Sequence, residues 1–222
     1  REYFAVQLKA KNPNAWQAGH RRLYEFLRMS TKEGDQPTLE ALQPLYQAVA
    51  HGCQAGLQQE ACDEIYHDRI QRGREAYSLR KLGALGSDLG ALACFFKRPW
   101  TELLLGFSEE IQAWLLNDAA LRLSAVGRLT EALEPTRAGL GKYVEEKNWL
   151  YAAILGINLS ELQIKLGDVG GAVADAERSL IYADRSGDPG WAPHSRVRFA
   201  DALHKAGRRT EAKARFSEAE QM

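Results

Sequence analysis

The residues that could do chemistry are few, and their spacing argues against most of it. His51 and Cys53 stand two apart, and Cys62 and His67 five apart. A zinc site needs four converging N, S or O ligands. These four fall on a turn and one helix without a paired C-x-x-C, so buried thiols and a turn histidine are the better reading, and no metal is expected. Cys94 lies in Leu92-Ala-Cys-Phe-Phe, an apolar helix face. A thiol there has a raised pKa and is inert. Glu109/Glu110 and Glu145/Glu146 are adjacent pairs, which point to different parts of a helix surface and read as solvated charge, not as an acid/base dyad. Gly86-Ser-Asp-Leu-Gly90 lacks the lysine of a phosphate-binding loop and reads as a turn. No Gly-x-Ser-x-Gly elbow is present. The chain is expected to be non-catalytic, with no cofactor.

The totals narrow the partners. Among 222 residues, Lys+Arg and Asp+Glu are both 29, so the formal charge is zero and broad capture of nucleic acid is not expected. No apolar run reaches the roughly 20 residues of a membrane span. Three cysteines form no even framework and suit a reducing cytoplasm. The sequence opens on Arg1 without a signal peptide or a starting Met, so it is expected to be part of a longer protein.

What remains is a repeat. Gly127, Gly167 and Gly207 stand at equal intervals of 40 residues, each followed five later by an alanine: Ala132, Ala172 and Ala212. A fixed period of this size means stacked supersecondary units. Before each glycine runs a helical apolar stripe, such as Leu116, Ala119, Ala120, Leu123 and Val126. The glycine supplies the positive φ a helix end often needs. The alanine leaves room where two antiparallel helices approach. Gly56/Ala61 and Gly86/Ala91 repeat the interval in a diverged form, although the 30 residues between these two glycines are too few for full-length helices.

Upstream, Phe4, Leu8, Leu23, Phe26 and Leu27 give helical spacing, broken by Asn12-Pro13-Asn14, with Asn14 as a candidate cap. Ser30 to Pro37 reads as a loop, and Thr38 and Ser108 as N-caps. His51 to Gly56 reads as a turn. Arg98-Pro99-Trp100 should end a helix that begins near Asp88. Gly187-Asp-Pro-Gly190 is the clearest break between units, and no strand pattern is found. The fold expected is all-α: a right-handed superhelical stack of antiparallel helix hairpins. Residues 1–37 form an N-terminal helical segment after an upstream domain. Residues 38–222 form a repeat domain of about five hairpins, best defined over 110–222.

The glycine and alanine, with Leu116, Ala119 and Ala120 in the first copy, Gly156, Leu159 and Ser160 in the second, and Arg196, Phe199 and Ala200 in the third, resemble the tetratricopeptide repeat. The place four before the glycine holds Leu123, Gln163 and Leu203. The 40-residue spacing resembles the long-helix variety of bacterial signalling proteins. A second resemblance rests on Arg1-Glu-Tyr-Phe4, Gln7-Leu8, Trp16, Gly19-His-Arg-Arg-Leu-Tyr24 and the stretch Thr38 to Gly56. These look like the segment after the winged helix in bacterial STAND (NLR-like) NTPases and the start of their sensor. That resemblance implies a sensor domain making an intramolecular contact with an upstream nucleotide-binding domain.

In tetratricopeptide arrays the first helix of each hairpin lines a concave groove. By offset from each glycine, the facing residues are Trp114, Asn117, Leu121 and Ser124; Ile154, Ile157, Glu161 and Lys165; and His194, Val197, Asp201, His204 and Lys205. This mixture of aliphatic, aromatic and charged groups suits a protein or peptide partner. Packing against a neighbouring helix or the expected upstream domain is the competing reading for Trp114 and the isoleucines. Two other functions fit the sequence: a free-standing scaffold or chaperone-like adaptor, and the small-molecule-sensing regulatory domain of a maltose-type transcription activator.

Overall fold

The structure, a computed structural model, describes residues 2–221, and side chains from residue 6 to 221, so the side chain of Phe4 lies outside the described residues. The chain forms two compact units, Arg1–Phe107 and Ser108–Met222.

The second unit is three helix hairpins: α7 (Glu109–Ala125) with α8 (Leu129–Glu145), α9 (Trp149–Leu166) with α10 (Val169–Ser186), and α11 (Trp191–Lys205) with α12 (Arg209–Glu220). Ser108 caps α7 by accepting from the Ile111 amide, and Glu109 and Glu110 follow at the positive end of the helix dipole. Gly127, Gly167 and Gly207 all have positive φ, at 81°, 86° and 77°. Each lets the chain leave one helix and enter the next without a Cβ clash. Ala132, Ala172 and Ala212 are buried at the turn, as the close helix approach requires.

The hairpins are joined by apolar clusters. Ala113, Tyr143, Ala152 and Leu155 link the first hairpin to the second; Val173, Ala176, Phe199, Ala202, Leu203 and Ala212 link the second to the third. A fully buried leucine such as Leu155 contributes about 2–3 kcal/mol. Within the second hairpin, Ser160 Oγ donates to Ala172 O and Ser179 Oγ to Ala153 O, both at 2.8 Å.

Between α8 and α9 the same role falls to Lys147, at φ 57°, 40 residues before Gly187, whose φ is 67°. A lysine pays a steric penalty there that glycine avoids. Lys147→Gly is expected to stabilise the chain by about 0.5–1 kcal/mol, after the greater freedom of glycine in the unfolded chain is deducted. A urea midpoint that rises with unchanged slope is the confirming measurement.

In the first unit, α1 (Glu2–Lys11) and α2 (Pro13–Ser30) precede α3 (Leu39–Gln54). Asn12, not Asn14, caps α2: its side chain accepts from the Ala15 amide, and Pro13 sits at the first helical position, where no amide is needed. Thr38 caps α3. That helix runs to Gln54, so His51 to Gln54 form its last turn, and Gly56 (φ 76°) makes the reversal. The returning helix begins as α4 (Gln58–Glu60) and continues as a π-helix over Ala61–Gln71. Arg69 on that π-helix holds both carboxylate oxygens of Glu33, at 2.7 and 2.6 Å, and donates to the Arg28 and Thr31 carbonyls at 2.8 Å. It thereby caps the end of α2 and pins the 31–37 loop.

Three further expectations fail before residue 108. Gly86 is no turn glycine: it lies inside α6 (Leu85–Ala93), after the short α5 (Tyr77–Arg80), and Gly83 carries the positive φ of 60° instead. The helix through Asp88 ends at Ala93, not at Pro99. A two-stranded antiparallel hairpin follows, β1 (Phe96–Arg98) and β2 (Glu102–Leu103). Strands this short show no alternation in sequence. The hairpin is held by Lys97 and Arg98 on Glu102, both at 2.8 Å, and by Trp100 edge-on to Phe96, 5.5 Å between ring centres. The core beside it holds a buried polar node: Tyr46 Oη and Ser78 Oγ donate to the two oxygens of Asp88, at 2.7 and 2.9 Å.

Candidate functional site

A groove of about 250 Å³ opens in the second unit. Asn117, Leu121 and Ser124 line it from α7, and Glu161 and Lys165 from α9. These five were expected from their offsets. Its wall also includes Ala120, Ala125, Thr136, Asn158 and Leu162, which the offsets missed. Thr136 comes from α8, and its hydroxyl donates to Ala132 O at 2.6 Å. Ala120 and Ala125 are small side chains, and their size creates the hollow. Leu121 is exposed and supplies apolar surface; the amides of Asn117 and Asn158 can each donate and accept.

The groove continues in charge to the third hairpin. Glu161 forms an ion pair with Arg198 at 2.7 Å, bridging α9 to α11. Arg198 was not among the expected residues. It occupies the place nine before its glycine, the place that Asn158 holds in the second copy. His194 lies against Arg198 (Nε to Nε2, 3.5 Å) and meets the Trp191 ring edge-on at 5.0 Å. Burial, then the charge of Arg198, holds the His194 imidazole below its ordinary pKa, against a smaller upward pull from Glu161. It is therefore kept toward its neutral form.

The other expected residues divide. Val197, His204 and Lys205 are exposed on α11 and Asp201 is half-buried, but none lines the groove. Trp114 is half-buried and likewise outside it. Ile157 is a correction: at 3% exposure it is core. Ile154 is half-buried and packs on Ala113, Tyr143, Ala152 and Leu155. The reason is that α9 is flanked by α8, α10 and α11, so a face that is free on α7 is covered on α9.

The groups weighed for metal chemistry go separate ways. His51 Nδ1 shares a hydrogen bond with His20 Nδ1 at 2.8 Å, and His67 pairs with Asp68 at 2.7 Å. Burial pushes the thiols of Cys53 and Cys94 up, which disfavours the reactive thiolate. Among the described residues no group of three or more His, Cys, Asp or Glu side chains is arranged to hold a metal ion, and no helix is long and apolar enough to cross a membrane.

No protein-family model matches the chain, and no curated protein does. Two solved structures do. Both are of a Podosopora anserina kinesin light chain candidate with nearly identical TPR-like repeats, one of them a point variant. Each aligns with 99% of this chain and 91% of its own, at 14% identity and a TM-score of 0.50. The likeness is one of fold: an all-α stack of tetratricopeptide-like helix hairpins.

Proposed function

We propose that the chain is a non-catalytic protein-interaction module, and that the groove between α7 and α9 takes a protein or peptide ligand. The observation that carries this is the groove itself. It joins one exposed leucine, two asparagine amides and two side chains of opposite charge, Glu161 and Lys165, in one concave space. An apolar anchor with a few polar groups beside it is what orients a bound segment. The reading is finer still where the resemblance to STAND NTPases is followed: a cytoplasmic bacterial signalling or defence protein, in which this chain is the sensor and contacts an upstream nucleotide-binding domain. Arg1 to Tyr24 and Thr38 to Gly56 support that context. A phosphate-binding loop and a winged helix in the reading frame ahead of Arg1 are its test.

The groove is tested by selecting extended peptides from a displayed library on the full chain, then measuring them on variants. Leu121→Asp and Lys165→Glu are each expected to weaken selected peptides at least tenfold, about 1.4 kcal/mol, with unchanged melting temperature because both residues are exposed. Peptides that bind both variants as well as the parent chain would place the ligand elsewhere.

A further inference from the structure

Helix α2 has two apolar faces. One is covered: Tyr24 is fully buried, its ring carbons 3.1 and 3.2 Å from where a Cβ on Gly52 of α3 would stand, and the rings of Trp16, His20 and His51 meet in a tilted chain beside it. The other face carries Gly19, Arg22, Leu23, Phe26 and Met29, which fall on one stripe at helical spacing. Leu23 is 46%, Phe26 65% and Met29 79% exposed. Nothing lies within 4 Å of the place a Cβ would take on Gly19, so a neighbour can approach closely there.

The surroundings of the stripe are cationic in a chain whose net charge is zero. From Val6 to Lys32 there are six cations and one anion, Glu25. Arg28 is taken by Glu60 and Glu64, both at 2.7 Å, and Lys9 reaches Gln54 at 3.4 Å. Lys11, Arg21, Arg22 and Lys32 meet no acidic partner among the described residues.

We propose that this second face of α2 docks an amphipathic helix of a partner protein, whose apolar stripe covers Leu23, Phe26 and Met29 and whose flanks are acidic. Three anchors at i, i+3 and i+6 extend about 9 Å along the axis, a little under two helical turns. Acidic flanks neutralise the cations of the rim and supply specificity. A second copy of this chain fits worse, because two cationic rims would meet. An anionic bilayer fits worse too: the apolar face is three side chains long, the opposite side of α2 is packed on α3, and the chain has no net charge to draw it to a surface.

The test uses the full chain and a labelled synthetic helical peptide, with leucines at i, i+3, i+4 and i+7 and glutamates flanking them. A control peptide has lysine for every glutamate. The acidic peptide is expected to bind at least tenfold more tightly than the basic one. Phe26→Ser and Met29→Ser should each weaken it at least fivefold, and Arg21→Glu with Arg22→Glu should erase the preference. None of these should shift the melting temperature, since the side chains are exposed. Leu121→Asp and Lys165→Glu should leave this binding intact, which separates it from the groove of the hairpins. Equal affinity for the two peptides, or binding that survives Phe26→Ser with Met29→Ser, overturns the proposal. So does loss of binding on the groove variants, sedimentation with phosphatidylserine vesicles that the peptide fails to displace, or a dimer that forms through Phe26 and takes no peptide.

Discussion

Asp118→Ala is expected to destabilise the chain by about 3–5 kcal/mol, because it removes the carboxylate that a buried guanidinium pairs with. Asp118 and Arg122 lie one turn apart on α7 and form an ion pair, with the arginine 1% and the aspartate 6% exposed. The cost of removing one partner is mostly the desolvation of the charge left behind. The repeat shows how the same space is filled without charge. The place of Arg122 is Leu162 in the second copy and Ala202 in the third, and both are buried core. The place of Asp118 is Asn158, then Arg198. Replacing both members, Asp118→Asn with Arg122→Leu, copies the second hairpin and should recover most of the loss, since a well-packed apolar substitute for a buried pair is often neutral or stabilising. Urea unfolding of the two single variants and the double variant gives the coupling. A loss below about 1 kcal/mol for Asp118→Ala would mean that water or another group of the chain satisfies Arg122.

The features that were readable in advance are those set by a few neighbouring residues. Thr38 and Ser108 are caps because a hydroxyl reaches an amide three residues on. Gly127, Gly167 and Gly207 are turns because only a residue without a Cβ takes positive φ at no cost. The misses before residue 108 have a different origin. The π-helix over Ala61–Gln71 has no hydrophobic period that marks it, and its ends are fixed by distant partners, such as Arg69 on the 31–37 loop. Gly86 has the right interval to Ala91 and the wrong conformation, since a glycine inside a helix looks in sequence like one that ends it.

The groove was readable to the extent that one helix phase serves all three copies. The row six before each glycine, Leu121, Glu161 and Asp201, is at least partly accessible throughout. The row ten before it is not uniform: Asn117 lines the groove, Ile157 is buried and Val197 is exposed. Offsets from a glycine carry no information on how many neighbours a helix has, and α9 has three, α8, α10 and α11. Arg198 and Asn158 went unread for the same reason. They lie one residue to the side of that row, and only the packing of α9 against α11 decides which of the two rows faces Glu161.

The second large effect is expected at Gly156, where the repeat departs furthest from its pattern. The place eleven before the turn glycine holds Leu116, Gly156 and Arg196 in the three copies. A Cβ on Gly156 would stand 2.9 Å from Ser179 Cβ and 3.3 Å from Ser179 Cα, so α10 crosses α9 too closely for a side chain. In the first copy the sizes are exchanged. The residue 40 before Ser179 is Gly139, and a Cβ there would lie 3.4 Å from Leu116 Cβ. One hairpin puts leucine against glycine and the next puts glycine against serine, so each crossing has one hole. Gly156→Leu should therefore cost about 3 kcal/mol through overpacking, even though leucine is the better helix former. Ser179→Gly alone should cost about 1 kcal/mol, from the helical glycine and the lost bond to Ala153 O. The double variant rebuilds the Leu116/Gly139 arrangement and should be more stable than Gly156→Leu, a coupling of opposite sign to additive loss. Thermal melts of the parent, the two single variants and the double variant measure it. Additive losses would show that the crossing of α9 and α10 is set elsewhere along the hairpin and does not follow the side chains at this place.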